Sequence, residues 1–264
     1  MKGFLSTLPA VLGLCLFGGQ ASAVDPDGEL FQGIEHEGTL NYLLHLPVGY
    51  QESAEPYPLL LFLHGIAQKG DGSADSLRRV AADGPFRTMR EGLWDQRLPM
   101  IVVGPQSSGI QPWWRGDEVR KVLAHVLATY RIDKSRRYLA GISMGGRSVW
   151  WLAKNFSNEF AAIVPTSGWA GDVTRSCAVF RHMGIWAFHG AHDSLIGLSA
   201  GRRPVETLAA CQPPLTLAPK ISVLEDAGHG QWYRVFANEH HQSNQGGDGE
   251  VYTDIYRWML SFSR

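Results

Sequence analysis

The stretch Gly141-Ile142-Ser143-Met144-Gly145-Gly146 decides how this chain folds. It follows the apolar run Arg137-Tyr138-Leu139-Ala140 and precedes a helical pattern from Ser148 to Asn155. A G-x-S-x-G sequence between a strand and a helix predicts a sharp turn that exposes the serine hydroxyl. Small residues flank such a serine because the turn brings backbones close together. Ser143 is therefore the candidate nucleophile, and the alternative is a glycine-rich turn with an inert serine.

Apolar runs on both sides of this turn have the pattern of buried strands. Because they are apolar on both faces, they predict a parallel sheet that is covered by helices. Apolar residues at helical spacing predict further helices from Asp117 to Tyr130 and from Val251 to Phe262. This alternation predicts a doubly wound, mostly parallel α/β sheet, with functional residues at the carboxyl ends of its strands. The other strand candidates are Leu40–Leu46, Pro58–Leu63, Met100–Val103, Ala161–Val164, Ile185–Phe188 and Ile221–Leu224.

The nucleophile needs a base, and histidine is the usual choice near neutral pH. Hydrolases with this turn carry serine, acid and histidine in that chain order. His229 follows the last strand run in a small-residue loop, so it is the candidate base. Asp193 follows the Ile185–Phe188 run and is the candidate acid, which holds the imidazole in the required tautomer. The alternatives are His189, His192, His240 and His241 as base, and Asp172 as acid.

A tetrahedral intermediate requires hydrogen-bond donors for its negatively charged oxygen. The N–H of Met144, directly after the nucleophile, is one candidate donor. The N–H of Ile66, in the loop after His64-Gly65, is the other. We interpret His64 as a structural residue of this turn, and its alternative role is that of a catalytic base.

Length and composition indicate one globular domain. The chain has 264 residues, a formal net charge of −1, 44% hydrophobic residues and 19% charged residues. The charge balance gives no reason to expect nucleic acid or an anionic membrane as a partner. The spacing from Ser143 to Asp193 and on to His229 leaves room for one helix and one strand each, but not for a large lid domain. We expect residues 24–264 to form a single catalytic domain.

The N-terminus is typical of a secretory signal. Lys2 precedes an apolar stretch from Leu8 to Phe17, and Ala21-Ser22-Ala23 has the small-x-small pattern of a cleavage site. We therefore expect residues 1–23 to be a signal peptide and the mature chain to be secreted or periplasmic, without stable membrane insertion. The alternative is an uncleaved membrane anchor. In an oxidising compartment, the two cysteines that remain, Cys177 and Cys211, are expected to pair, and the alternative is two buried thiols.

The combined motifs identify a family resemblance. The motifs are Leu61-Phe62-Leu63-His64-Gly65, Val103-Gly104-Pro105-Gln106 with Trp113-Trp114, Gly141 to Gly146, His189-Gly190 with Asp193, and Gly228-His229 with Trp232. Over nearly the whole mature chain, this set resembles secreted carboxylesterases related to polyhydroxybutyrate depolymerases and feruloyl esterases, near the prolyl-oligopeptidase-like esterases. The resemblance implies an α/β-hydrolase fold with an eight-stranded-type sheet, no cofactor and a compact open site. It also implies catalytic roles for Ser143, Asp193 and His229.

Four tryptophans lie in loops near these motifs and are candidates for an aromatic wall around the substrate. The alternative is that they pack beneath the loops. Metal binding is not expected, because His189, His192 and Asp193 lie at a strand end rather than on a zinc-type helix. The four tryptophans are Trp113, Trp114, Trp169 and Trp232.

Together these observations predict a serine carboxylesterase that acts on small-molecule or polysaccharide-linked esters. The same trio would also suit a prolyl-oligopeptidase-type peptidase or an acyltransferase. A catalytically inactive binding protein is disfavoured, because Ser143, Asp193 and His229 are all present.

Overall fold

The computed structural model of the chain describes residues 30–108, 112–239 and 254–264. The expected signal segment 1–23 lies outside these ranges, as do the alternative bases His240 and His241.

One eight-stranded sheet forms the centre of the molecule, in the order β1-β2-β4-β3-β5-β6-β7-β8. The β1–β2 and β2–β4 pairs are antiparallel, and every other pair is parallel. All seven predicted strands are present, and the short β1 is the one that the sequence pattern missed. The strands are β1 (Gln32–Ile34), β2 (Tyr42–His45), β3 (Tyr57–Leu63), β4 (Ile101–Pro105), β5 (Ile132–Ile142), β6 (Ala162–Thr166), β7 (Gly184–Gly190) and β8 (Lys220–Leu224).

Helices connect the strands, and each connection from β5 to β8 contains one α-helix. None of the described helices has the length and the apolarity needed to cross a bilayer. The described α-helices are α1 (Ala74–Leu77), α2 (Gly84–Arg90), α3 (Gly116–Thr129), α4 (Met144–Asn155), α5 (Cys177–Phe180), α6 (Leu198–Ala209), α7 (Tyr233–Phe236) and α8 (Ile255–Leu260).

The three predicted helices correspond to α3, α4 and α8. Helix α4 begins at Met144, four residues before the predicted start at Ser148, because the serine turn leads directly into it. Helix α8 lies inside the predicted range of residues 251–262, of which 251–253 are outside the described part of the chain.

Two apolar layers cover the two faces of the sheet. Along β3, Leu59, Leu61 and Leu63 belong to the layer that packs against α3, α4 and α6. The alternate residues Leu60 and Phe62 belong to the layer that packs against α2, α7 and α8. This alternation follows from the two-residue period of a strand, and it confirms the predicted doubly wound α/β fold.

A disulfide joins Cys177, the first residue of α5, to Cys211, two residues beyond α6. The S–S distance is 2.03 Å. This confirms the predicted pairing. The bridge closes a 34-residue separation that contains β7 and Asp193.

Candidate active site

Ser143 lies at the turn between β5 and α4, at the carboxyl edge of the sheet. Its φ of 52° and ψ of −114° are unusual for a residue with a side chain. The N–H of Ser143 donates to the carbonyl oxygen of Thr166 in β6, at 2.9 Å. The neighbouring strand thus holds the turn in a conformation that costs about 1–3 kcal/mol.

Two glycines after the serine permit the helix to approach the strands. A Cβ on Gly145 would lie 1.9 Å from the carbonyl oxygen of Leu63 at the end of β3. A Cβ on Gly146 would lie 2.4 Å from the carbonyl oxygen of Thr166 at the end of β6. Any larger residue would therefore push α4 away from the sheet and move Ser143.

The structure brings the three predicted residues into one hydrogen-bonded chain. Ser143 Oγ lies 2.8 Å from Nε2 of His229, and Nδ1 of His229 lies 2.7 Å from Oδ2 of Asp193. With a proton on Nδ1, the Ser143 hydroxyl donates to Nε2, which is the arrangement that proton removal from the hydroxyl requires. The elements that position the trio are the β5–α4 turn and the loops after β7 and β8.

Asp193 is held by backbone donors. Its Oδ1 accepts the N–H groups of Leu195 and Ile196, at 3.0 Å and 2.8 Å, and its side chain is buried. These bonds leave Oδ2 directed at His229. The alternative acid Asp172 accepts hydrogen bonds from Thr174 instead.

His189, one of the alternative bases, is buried against Asp193. Its Nε2–H donates to the carbonyl oxygen of Ile196 at 2.7 Å and lies 3.3 Å from Oδ2 of Asp193. Burial lowers the pKa of His189, which favours the neutral ring. The histidine therefore supports the loop that carries the acid, a role that sequence reasoning missed. His192 is exposed.

The two candidate oxyanion donors are backbone N–H groups at the starts of the segments that follow β3 and β5. Met144 is the first residue of α4, and Ile66 is the first residue of a 3-10 turn, Ile66–Gln68. In the described residues neither N–H has a hydrogen-bond acceptor. The close approach of Gly145 to the end of β3 holds the helix start near the loop that carries Ile66.

Side chains beneath the Ile66 loop fix its shape. Gln68 Nε2 donates to Oδ2 of Asp83 at 2.9 Å, and Gln106 Nε2 donates to the carbonyl oxygen of Gln68 at 2.9 Å. Burial raises the pKa of Asp83 to about 6. The loop is therefore tied to two separate parts of the chain, which limits the positions that the Ile66 N–H can take.

His64 is structural, as interpreted from the sequence. Its side chain is fully buried, Nδ1–H donates to the carbonyl oxygen of Gly65 at 2.6 Å, and Nε2 accepts the N–H of Ser107 at 3.0 Å. Burial lowers its pKa to about 4. Since both ring nitrogens are occupied, His64 has none left to act as a base.

The four tryptophans divide into two groups. Trp113 is 41% exposed and packs edge to face against Trp169, with 5.4 Å between ring centroids. Trp232 lies edge to face beside His229, at 5.1 Å. The prediction that Trp114 belongs to the aromatic wall is wrong. Trp114 is only 6% exposed, and its Nε1–H donates to the carbonyl oxygen of His64. It therefore packs beneath the loop.

A groove of about 470 Å³ lies between the loop after β6 and helix α6. Trp169 lines one part of it, and polar side chains line much of the rest. In the described ranges, no three His, Cys, Asp or Glu side chains are grouped so that they could hold a metal ion. The polar lining residues are Asp172, Thr174, Ser199, Arg203 and Thr207.

Comparison with known sequences identifies similar proteins. The model of the Esterase family, whose description is "Putative esterase", matches residues 35–255. A bifunctional acetylxylan esterase/xylanase of Neocallimastix patriciarum is 28% identical over 144 residues. That match covers 53% of this chain and 20% of the relative, so the chain spans about a fifth of the relative's length.

Solved structures show the same architecture. A thermostable esterase superposes with a TM-score of 0.61 and 22% identity, over 89% of this chain and 63% of that one. A ferulic acid esterase of Anaeromyces mucronatus superposes with a TM-score of 0.54 and 18% identity, over 83% of this chain and 92% of that one. These likenesses confirm the α/β-hydrolase fold.

Proposed function

The chain belongs to the Esterase family, and we propose that it is a serine carboxylesterase that cleaves esters through an acyl-enzyme on Ser143. The observation that carries this proposal is the hydrogen-bonded chain from Ser143 Oγ through His229 to Asp193. Three polar side chains from distant parts of the sequence meet at one edge of the sheet, in the geometry that nucleophilic catalysis requires.

Acylation begins when Ser143 Oγ attacks the carbonyl carbon of the ester. Nε2 of His229 takes the hydroxyl proton as the C–O bond forms, and Asp193 stabilises the resulting imidazolium. The carbonyl oxygen becomes an oxyanion, which accepts hydrogen bonds from the N–H groups of Ile66 and Met144. The intermediate then collapses, the bond to the alcohol oxygen breaks, and His229 returns the proton to the departing alcohol.

Deacylation repeats these steps with water. His229 removes a proton from a water molecule as its oxygen attacks the acyl carbon, and the second oxyanion uses the same two N–H groups. The carboxylic acid leaves as the proton returns to Ser143 Oγ. One donor of this kind typically contributes about 3–4 kcal/mol to transition-state stabilisation, so the shape of the Ile66 loop matters for turnover.

The surroundings of the site support esters with a substantial apolar or sugar part. The side chains of Ile66, Trp113 and Leu195 are 60%, 41% and 76% exposed, and they lie in loops at the edge that carries Ser143. The groove beside Trp169 is of the size that small-ligand sites have. The names of the similar proteins include acetylxylan esterase and ferulic acid esterase. We therefore extend the proposal to esters linked to plant polysaccharide.

Export of the mature chain is part of the proposal. Residues 1–23 have the pattern of a secretory signal. The Cys177–Cys211 disulfide also supports an oxidising destination. Residues 24–264 would then act as a single catalytic domain, and the family match over 35–255 supports that extent.

The test is Ser143→Ala against a panel of esters. The variant should lose saturable hydrolysis of p-nitrophenyl acetate, methyl ferulate and acetylated xylan, while wild-type protein turns over at least one of them. Ser157→Ala is the matched control, because Ser157 lies in the turn beyond the far end of α4. Retained turnover in the Ser143 variant would show that Ser143 is not the nucleophile. Cleavage of a proline amide in preference to every ester would favour a peptidase instead.

A further inference from the structure

Arg147 forms a cluster with two tryptophans outside the catalytic trio, and we call these three residues the arginine cluster. The guanidinium carbon lies 4.3 Å from the ring centroid of Trp113 and 5.4 Å from that of Trp169. The two indoles meet edge to face, with 5.4 Å between centroids. A guanidinium over an indole face is attracted by the ring electrons, so the indoles fix the position of the cation.

The charge of Arg147 is not neutralised in the described part of the chain. No carboxylate there forms an ion pair with it, and its side chain donates no hydrogen bond to the described residues. The side chain is partly buried, and this burial lowers its pKa, although arginine remains protonated. Asp172 is the carboxylate nearest to Trp169 in the sequence, and it accepts hydrogen bonds from Thr174. Among the described residues, the guanidinium N–H donors thus have no acceptor.

Three contacts place the arginine cluster beside the nucleophile. Arg147 lies one turn into α4, and its N–H donates to the carbonyl oxygen of Ser143 at 2.9 Å. Trp169 follows Gly168, where a Cβ would lie 2.4 Å from Gly146. Trp113 precedes Trp114, whose indole N–H is bonded to His64 at the start of the Ile66 loop. One helical turn rises about 5.4 Å. Arg147 is therefore within reach of a substrate held at Ser143.

We propose that the arginine cluster is an anion subsite that binds a carboxylate of the ester substrate. This inference rests on the proposed esterase function and names a substrate class for it: esters that also carry a free carboxylate. A guanidinium presents planar, paired donors that match the two oxygens of a carboxylate. Because the indoles already hold the guanidinium, little side-chain freedom remains to be lost when the carboxylate binds.

The carboxylate has two possible sources, the acyl part or the alcohol part of the ester. Monoethyl adipate carries it on the acyl part, and its neutral partner is the corresponding primary amide, ethyl adipamate. 4-Acetoxybenzoate carries it on the alcohol part, and its neutral partner is 4-acetoxybenzamide. Within each pair the two substrates have nearly the same shape and differ in charge, so the ratio of their kcat/KM values isolates the contribution of the carboxylate.

Wild-type protein should favour the carboxylate in at least one pair by about 10- to 100-fold, as expected for charge-assisted hydrogen bonds. Arg147→Met keeps the apolar stem and should bring that ratio close to one. Arg147→Lys should give an intermediate ratio, because it keeps the charge but loses the paired donors. Arg120→Gln is the matched control and should keep the wild-type ratio. Arg120 also stacks on an aromatic ring, that of Phe156, but at the far end of α4.

The outcomes separate this inference from the esterase proposal. A ratio near one for wild-type protein in both pairs, with clear turnover of the neutral substrates, overturns the anion subsite and leaves the esterase function standing. A carboxylate preference that survives in Arg147→Met also overturns it. If no ester of either pair is turned over, tryptophan fluorescence of Ser143→Ala titrated with 4-acetoxybenzoate tests the subsite without catalysis. Saturable quenching that Arg147→Met removes supports the subsite, and quenching that persists refutes it.

Discussion

Replacing Asp193 with asparagine should nearly abolish turnover while leaving the backbone in place. Oδ1 of Asp193 accepts two backbone N–H groups, from Leu195 and Ile196, and Oδ2 faces Nδ1 of His229. In the variant, the amide oxygen must occupy the Oδ1 position, because an NH₂ group there would face two other donors. The amide NH₂ is then directed at Nδ1 of His229, which has to become an acceptor.

The size of the effect follows from this forced orientation. With Nδ1 as acceptor, the imidazole proton moves to Nε2, which lies 2.8 Å from Ser143 Oγ. Nε2 can then donate to the hydroxyl but cannot take its proton. The same change in a serine-protease triad lowers kcat about 10⁴-fold, which corresponds to about 5.5 kcal/mol of transition-state stabilisation. We expect a loss of that order here.

The assay is kcat/KM for p-nitrophenyl acetate, together with the melting temperature. Asp226→Asn is the matched control, because Asp226 is an exposed carboxylate three residues before His229 and pairs with Arg234. It should change activity by no more than about twofold, as surface substitutions do. If Asp193→Asn kept more than about a tenth of the wild-type value, a loss below about 1.4 kcal/mol, the argument from the fixed amide orientation would be wrong.

Three further changes test other parts of the structure. Replacing the two cysteines of the Cys177–Cys211 bridge, one with serine and one with alanine, should lower the free energy of unfolding in urea by about 4 kcal/mol. The bridge closes a 34-residue separation and so restricts the unfolded chain. Burial raises the pKa of Asp83 from its ordinary value of 3.8 to about 6, so wild-type stability falls as pH rises from about 4 to 6. Asp83→Asn should therefore raise the free energy of unfolding at pH 7.5 by up to about 3 kcal/mol, with little change at pH 4. Gly145→Ala should lower kcat by about 10²-fold or more, because its Cβ would press on the end of β3 and separate the two proposed oxyanion donors. Gly230→Ala, with open space around the added Cβ, should lower it far less.

Most of the sheet was predictable because buried parallel strands leave apolar runs in the sequence. β1 left no such run, since it has only three residues, Gln32-Gly33-Ile34, and pairs on one side at the sheet edge. Helix α6 was missed for a different reason. It contains Pro204, a residue that ordinarily ends a helical pattern. Local sequence therefore indicates a break at a place where packing against β7 keeps the chain helical.

The meeting of Ser143, Asp193 and His229 was predictable because each of them follows a recognisable strand. A parallel sheet brings the carboxyl ends of its strands to one edge, so chain order and strand assignment were sufficient. The arginine cluster had no comparable signal, since its contacts join one helix to loops after two different strands. The burial of Trp114 could not be predicted from the sequence for a similar reason. Trp113 and Trp114 are neighbours in one loop, and their exposure differs only because of how the loop folds.

Helix α4 joins the proposed nucleophile to the proposed anion subsite. Its first residues are pressed against β3 and β6, so Ser143 and the Met144 N–H are fixed by the sheet itself. One turn later the same helix presents Arg147 to Trp113 and Trp169, which lie in surface loops. Loops tolerate substitution better than the elements that they connect. Changes at the two tryptophans should therefore alter which esters are preferred, as a change in the carboxylate-to-amide ratio. Changes at the helix start should lower turnover of all esters alike.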